Sequence, residues 1–122
     1  MDKSYNYELK TFINARHAVR WEKGEGAEHP HTWELVLDIK PNHYPFDLKF
    51  EYIENVIEKT LATFSGKKIN DVPPFDKINP TIENFADYLF DILQEALQDI
   101  DCCLTRLIVG ESPTRLYTVH LD

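Results

Sequence analysis

The hydrophobic period of this chain changes twice along its length, from two residues to three or four, and then back. Apolar and polar residues alternate over residues 5–15 and again over residues 29–39, which is typical of strands with one buried face. His17 continues the parity of the first strand if that strand extends so far. The pattern therefore predicts strands first, helices next and strands again at the end.

Two amphipathic helices are predicted in the middle of the chain. From Phe50 to Phe64, apolar residues recur every three or four positions, and Ser65-Gly66 ends the pattern. Asn79 is the expected N-cap of the second helix, because Pro80 follows it at the first helical position. The apolar stripe of that helix runs from Ile82 to Ile100.

Residues 104–109 and 115–121 are predicted to be closing strands, joined by a turn at Ser112-Pro113. The resulting order, β-β-α-α-β-β, favours an α+β fold with a four-stranded antiparallel sheet and both helices on one of its faces. A chain of this length can bury one ordinary core, so we expect residues 1–122 to form a single domain. Four strands leave two exposed sheet edges, which oligomerisation would cover.

Charge and cysteine content limit the expected partners and compartment. The net charge is −8, so the chain lacks the basic field that nucleic acid or an anionic membrane requires, and we expect neither partner. No stretch approaches the roughly 18 apolar residues of a membrane span, and residues 1–6 contain no apolar signal segment. Cys102 and Cys103 are neighbours, which makes a disulfide between them unfavourable. The expectation is a cytoplasmic protein.

Two histidines, His29 and His31, are the sharpest local feature of the sequence. Two residues apart on a strand, they project from one face and can bind one ion. His17 would supply a third nitrogen if the strand register places it opposite, and three histidines with an open position are typical of catalytic zinc. Solvent-facing histidines, or iron, nickel or copper as the metal, also fit these residues. His43 and His120 are predicted to be surface or structural residues.

Four short motifs follow one another along nearly the whole chain. They are Ala15-Arg16-His17, His29-Pro30-His31, Asn79-Pro80-Thr81-Ile82-Glu83-Asn84 and Val109-Gly110-Glu111. Together, and in this order, they resemble the motifs of the 6-pyruvoyl-tetrahydropterin synthase and 6-carboxytetrahydropterin synthase family. The resemblance implies the T-fold, in which subunits join their sheets into a barrel, commonly as a hexamer of two trimers.

The resemblance also implies a zinc site and a pterin site. His17, His29 and His31 match the family's zinc ligands. Glu111 matches its pterin-anchoring carboxylate, which would accept two N–H bonds from the 2-amino-pyrimidinone edge of a pterin. Thr81 matches a threonine that lines the pterin pocket, although it is equally suited to cap the second helix. The implied partners are a small-molecule pterin and further copies of this chain.

Glu25 occupies the position of the family's catalytic cysteine, four residues before the second zinc histidine. A glutamate there resembles a branch of the family that cleaves 7,8-dihydroneopterin triphosphate and releases 6-hydroxymethyl-7,8-dihydropterin. A buried carboxylate at this position would act as the base. The alternative is a solvated loop glutamate.

The family's acid–base relay, an Asp-His pair, is missing. Counted back from Ile69-Asn70-Asp71, that pair falls on Ser65 and Gly66, neither of which can relay a proton near neutral pH. Lys67 and Lys68 follow in the same loop. We expect them to be solvated, with contact to a substrate triphosphate as the alternative.

The sequence leaves three functions open. The first is a zinc-dependent lyase or synthase acting on 7,8-dihydroneopterin triphosphate or a related pterin, in folate or queuosine biosynthesis. The second is a non-catalytic zinc- and pterin-binding relative that has lost the relay. The third is a T-fold protein acting on another heterocycle, because Glu111 would recognise an edge that purine-like molecules share.

Overall fold

The strands and helices follow the predicted order, with one addition, in a computed structural model that describes residues 1–43 and 47–122. In chain order, the elements are β1 (Tyr7–His17), β2 (Arg20–Trp21), β3 (Gly24–Glu25), β4 (His29–Pro41), α1 (Phe50–Leu61), α2 (Ile82–Gln98), β5 (Cys102–Ser112) and β6 (Arg115–His120). The addition is the short hairpin of β2 and β3, which lies inside the expected loop between the first two long strands. A single 3₁₀ turn, Ile69–Asp71, lies between the helices.

The four long strands form one antiparallel sheet in the order β1-β4-β5-β6, which confirms the predicted α+β arrangement. Strands β1 and β6 are therefore its edges. The end of β1 is partly covered by the loop after α1, where Gly66 N donates to Asn14 O at 2.6 Å and Arg16 N donates to Lys67 O at 2.9 Å. The left-handed φ of Gly66, 75°, is a conformation that glycine adopts without strain.

The core lies between one face of the sheet and the two helices. Strand alternation buries every second side chain of β4 completely, from Trp33 to Ile39. The helices contribute the apolar stripes that their periodicity predicts, including Ile57 from α1 and Phe85 from α2. The Phe85 ring lies 5.0 Å from that of Trp33 and 5.2 Å from that of Phe64, both edge-on. These aromatic rings join the helices to the end of the sheet that carries the histidines.

Helix α1 ends three residues earlier than the apolar stripe predicts. Its last residue is Leu61, and Phe64 N then donates to Leu61 O at 3.0 Å, as in a tighter turn. Phe64 is still buried. The stripe therefore predicted burial correctly but not helical conformation, because the turn places the same ring against the core.

Helix α2 begins at Ile82, and its N-cap is Thr81. The prediction of Asn79 as the cap was wrong, whereas the capping role given as the alternative for Thr81 is observed. The Thr81 hydroxyl accepts a hydrogen bond from Asn84 N at 3.2 Å. The Asn79 side chain binds the backbone of Arg20 instead, with its Oδ1 accepting from Arg20 N and its Nδ2 donating to Arg20 O, both at 2.8 Å. A tertiary contact therefore uses the side chain that the local pattern assigned to the cap.

The two remaining histidines and the two cysteines are not part of the cluster that His17, His29 and His31 form. His43 is exposed, and its Nε2 lies 2.6 Å from Asp101 Oδ2. His120 is also exposed. Cys102 is buried, which raises the pKa of its thiol, and Cys103 is half-buried. Within the described ranges, no helix is both long and apolar enough to cross a membrane.

Phe85→Ala is expected to destabilise the protein by about 3–5 kcal/mol, because it empties the centre of the aromatic cluster. Tyr52→Ala removes a half-exposed ring from α1 and should change the free energy of unfolding by less than about 0.5 kcal/mol. Denaturant unfolding followed by circular dichroism measures both. A single cooperative transition in wild type would support one domain, and two separate transitions would contradict it.

Candidate active site

The antiparallel register of β1 and β4 brings three histidines together. His17 pairs directly with His29, and Ala15 pairs with His31, so all three imidazoles project from the face that also carries Trp33. The ring centroids of the three histidines lie between 4.5 and 5.0 Å apart. The register condition that the sequence left open is therefore met.

Backbone carbonyls orient two of the rings. His17 Nδ1 lies 2.9 Å from Pro80 O, and His29 Nδ1 lies 3.0 Å from Ala27 O. Because a carbonyl oxygen only accepts, each Nδ1 must carry the proton and donate it. This leaves Nε2 of each ring as the nitrogen that can present a lone pair, which is the arrangement that second-shell carbonyls give to metal-binding histidines.

The facing nitrogens of the cluster lie close together. His17 Nε2 and His29 Nε2 are 2.9 Å apart, and with both Nδ1 atoms donating to carbonyls, two neutral rings would direct two lone pairs at each other. His31 Nε2 is buried and has no hydrogen-bond partner among the described residues. One ring nitrogen of each histidine lies within 4.8 Å of the other two. A cation bound between these lone pairs would relieve their repulsion, so the three side chains fit a metal ion.

Burial favours the neutral form of His17 and His31. Burial is the largest cause that lowers the pKa of His17, and the hydrogen bond to Pro80 opposes it. Burial also lowers the pKa of His31, followed by repulsion from His17. The Trp33 ring contacts both from the core side, at 5.0 and 5.2 Å. Neutral imidazole is the form that binds a metal ion.

Glu111 extends from β5 to the same cluster. Its Oε2 lies 4.0 Å from both His17 Nε2 and His31 Nε2, and its side chain is 15% exposed. Its Oε1 lies 3.8 Å from Nη1 of Arg115, which is on the other side of the turn between β5 and β6. The structure therefore places this predicted pterin anchor next to the histidines, with one oxygen towards them and the other towards a cation.

Glu25 lies on the short hairpin and has its polar contacts with residues other than the three histidines. Its Oε1 accepts from Asn70 Nδ2 at 3.0 Å and lies 3.7 Å from Arg20 Nε, and its Oε2 lies 3.3 Å from Lys68 Nζ. All three partners are donors, which suits an ionised carboxylate. The side chain is 41% exposed, so the burial expected for a base is only partial.

The loop at residues 65–68 differs from the expectation at one lysine. Ser65 and Gly66 are exposed, as is Lys67. The side chain of Lys68 is only 22% exposed, and its Nζ lies 3.3 Å from Glu25 Oε2 and 3.9 Å from Glu28 Oε1. The expectation of a solvated lysine was therefore wrong for Lys68, because the loop folds back against the hairpin.

Asn70 is a residue of this region that the sequence analysis missed. It is 4% exposed, and its Oδ1 accepts from Ala18 N at 2.9 Å while its Nδ2 donates to Ala18 O at 2.7 Å. The one available signal was its place in Ile69-Asn70-Asp71, three residues that were used only to locate the relay positions. Polar residues in loops are usually solvated, so a buried structural role could not be read from its type.

The Thr81 side chain is occupied by capping α2, as described above. Its neighbour Pro80 supplies the carbonyl that orients His17. The start of α2 is therefore tied to the histidine cluster through the backbone. Because a hydroxyl can accept and donate at once, capping leaves the Thr81 O–H free to donate to a ligand.

Comparison with known proteins gives one family and several similar structures. The family model for 6-pyruvoyl tetrahydropterin synthase matches residues 7–121. The 6-pyruvoyl tetrahydropterin synthase of Caenorhabditis elegans is 18% identical and superposes with a TM-score of 0.80, over 97% of this chain and 96% of that one. The Plasmodium falciparum enzyme is 14% identical, with a TM-score of 0.69 over 97% and 99% of the two chains. No curated protein sequence matches significantly.

A third similar structure concerns a glutamate. It is a variant of Plasmodium vivax 6-pyruvoyltetrahydropterin synthase in which a catalytic glutamate is replaced by alanine, and it is 14% identical, with a TM-score of 0.65 over 98% and 99% of the two chains. At these identities, the likeness establishes the fold alone. It confirms the T-fold predicted from the sequence.

His29→Ala should abolish metal binding, because it removes one of the three converging nitrogens. We expect about one zinc ion per wild-type chain by elemental analysis after purification with zinc. His43→Ala, which removes an exposed histidine, is the control and should retain the metal. Wild-type protein that binds no zinc, or a His29→Ala variant that binds as much, would contradict a metal site here.

Thr81→Ala should lower the free energy of unfolding by about 1 kcal/mol, because α2 loses its N-cap. Thr81→Ser keeps the hydroxyl and should retain most of that stability. Thermal or denaturant unfolding distinguishes the two variants. Equal stabilities would mean that the observed cap contributes nothing.

Proposed function

Because the chain belongs to the 6-pyruvoyl tetrahydropterin synthase family, we propose that it is a zinc-dependent enzyme acting on 7,8-dihydroneopterin triphosphate or a closely related pterin. Family membership supports a synthase or lyase function on pterins in general. The observation that carries the finer proposal is the convergence of three histidines with Glu111, whose Oε2 lies 4.0 Å from two of them.

His17, His29 and His31 would hold the zinc ion. A bound zinc ion supplies Lewis acidity, which lowers the pKa of substrate hydroxyls. The chain itself preorganises the ligands. Pro80 O orients the ring of His17 and Ala27 O orients that of His29, so that Nε2 of each is directed into the cluster. The Trp33 ring excludes water from the core side of the cluster.

Glu111 and Thr81 would bind the pterin. A carboxylate accepts two parallel N–H bonds from the 2-amino-pyrimidinone edge, and Glu111 is sheltered enough for such charge-assisted bonds to be strong. The free O–H of Thr81 would donate to a ring acceptor. Because Glu111 lies beside the histidines, the pterin and the metal ion would share one site.

Glu25 would act as the base. An ionised carboxylate can remove the proton of the side-chain hydroxyl next to the triphosphate-bearing carbon. The carbon that carries this hydroxyl becomes an aldehyde as its bond to the pterin-side carbon breaks, and it leaves as glycolaldehyde triphosphate. The electron pair passes to the carbon that stays on the pterin, and protonation there gives 6-hydroxymethyl-7,8-dihydropterin. Two facts support this role: the exposed side of Glu25 is open to a ligand, and a P. vivax 6-pyruvoyltetrahydropterin synthase has a catalytic glutamate.

The active form would be an oligomer, and we infer a hexamer from the resemblance. Both edge strands carry exposed apolar side chains, among them Phe12 on β1 and Leu116 on β6, which are 57% exposed. Pairing of β1 with β6 of another copy would satisfy both edges and close a barrel.

Ser65 and Gly66, at the relay positions, favour a second candidate, a zinc- and pterin-binding protein without catalytic activity. The two candidates differ in turnover. Among the enzymatic reactions, a single-step cleavage needs fewer proton transfers than a multi-step synthase reaction. The missing relay therefore disfavours a synthase reaction more than a cleavage.

Glu25→Gln should lower kcat on 7,8-dihydroneopterin triphosphate by at least about 100-fold, because an amide cannot accept the proton. Glu22→Gln makes the same charge change at an exposed site on the same hairpin and should leave kcat within about twofold. Product analysis by chromatography gives the rate and identifies the product. Full activity of Glu25→Gln would exclude this base, whereas pterin binding by an inactive wild type would favour the second candidate.

Glu111→Gln should weaken pterin binding by about 10–100-fold, as expected for the loss of a charge-assisted hydrogen bond. Calorimetric titration with a dihydropterin measures this without turnover. Zinc content should be measured in the same sample, so that a lost metal is not mistaken for a lost anchor. Unchanged pterin affinity would exclude Glu111 as the anchor.

A further inference from the structure

Both carboxylate oxygens of Glu25 are held by one short segment, residues 68–70. Asn70 Nδ2 donates to Oε1 at 3.0 Å, and Lys68 Nζ donates to Oε2 at 3.3 Å. The two donors come from more than forty residues away in sequence. The orientation of Glu25 is therefore set by tertiary contacts as well as by its own hairpin.

The segment that holds Glu25 is itself fixed to the core. Ile69 and Asn70 are buried, and the 3₁₀ turn that contains them is closed by Val72 N donating to Ile69 O. Asn70 also binds both backbone groups of Ala18, the residue after the first histidine of the cluster. Asn70 thus connects Glu25 to the end of β1 through three hydrogen bonds.

We propose that Lys68 and Asn70 are positioning residues that hold the Glu25 carboxylate in its reactive orientation, an inference that rests on the proposed role of Glu25 as the base. A glutamate on a two-residue hairpin strand would otherwise sample many rotamers, and only some of them direct an oxygen at the substrate. Asn70 fixes the inner oxygen from a buried site. Lys68 fixes the other oxygen and balances its charge.

The surrounding charges are consistent with this role. Arg20 Nε lies 3.7 Å from Glu25 Oε1, on the side of the hairpin. Lys68 is shared with Glu28, at 3.9 Å, and Glu28 is itself 3.6 Å from Arg16. Lys68 belongs to the same loop as Ser65 and Gly66, which lie at the positions of the family's relay pair. This loop therefore still supplies one side chain, that of Lys68, to Glu25. That side chain supports the base rather than relaying its proton.

The kinetic test uses the zinc-loaded protein with 7,8-dihydroneopterin triphosphate. Lys68→Met and Asn70→Ala should each lower kcat about tenfold or more while KM stays within about twofold, because binding is unchanged but the base is misplaced. Lys68→Arg keeps the cation and should restore most of kcat. A rise in KM with kcat unchanged would overturn the positioning role.

Two control variants separate positioning from folding. Lys67→Met makes the same charge change one residue earlier, at an exposed lysine, and should leave kcat within about twofold. Asn79→Ala removes two hydrogen bonds to the hairpin backbone at Arg20, with no bond to Glu25. It should lower the melting temperature about as much as Asn70→Ala but lower kcat much less. Equal losses of kcat in both asparagine variants would mean that Asn70 is only structural.

A second measurement requires no turnover. In a Glu25→Cys protein, Lys68 should favour the thiolate of the introduced side chain, so that the thiol reacts faster with iodoacetamide at pH 7. Adding Lys68→Met should slow that alkylation about threefold or more, whereas adding Lys67→Met should change it less than about twofold. Peptide mapping distinguishes the introduced thiol from Cys102 and Cys103.

The outcomes distinguish this proposal from the proposed function. If Lys68→Met and Lys67→Met slow alkylation equally, Lys68 does not act at position 25, whatever the role of Glu25 in catalysis. If only Lys68→Met slows it but Glu25→Gln retains full turnover, Lys68 holds Glu25 but Glu25 is not the base. Slower alkylation together with the kcat losses supports both.

Discussion

The pairing of β1 with β4 is the constraint on which the rest of the site depends. Direct opposition of His17 and His29 brings three imidazoles to the core-facing side at one end of the sheet. A slip of one residue would move every side chain of β1 to the other face and separate His17 from its partners. The buried alternation of β4 from Trp33 to Ile39 opposes such a slip, so the hydrophobic core also stabilises the geometry of the histidine cluster.

The end of β1 is contacted by two distant parts of the chain, residues 67–70 and the segment just before α2. The loop after α1 pairs with β1 through Lys67 O, the segment before α2 orients His17 through Pro80 O, and Asn70 binds the backbone of Ala18. Each contact is a hydrogen bond to or from the backbone near His17. The bond between Arg16 and Lys67 joins two backbones, whereas the other two contacts require the side chains of His17 and Asn70.

Glu25, Lys68 and Arg20 form a connected group of charges. Glu25 brings a negative charge, and Lys68 and Arg20 lie close enough to balance it. In a chain with net charge −8, these cations are used locally next to a carboxylate instead of forming a general basic surface. A thiol at this position would need neither cation in the same way, so Glu25 and Lys68 are best understood as a pair.

The sequence by itself determined the element order, the sheet with helices on one face and the shared face of His29 and His31, because periodicity records which side chains are buried. It left open whether His17 would join them, since register is a property of two strands. It misassigned the cap of α2 and the environment of Lys68, because Asn79 and Lys68 bind residues more than forty positions away. Tertiary structure alone decided those contacts. An asparagine that can cap a helix can also bind a distant backbone, and a lysine that can be solvated can also bind a distant carboxylate.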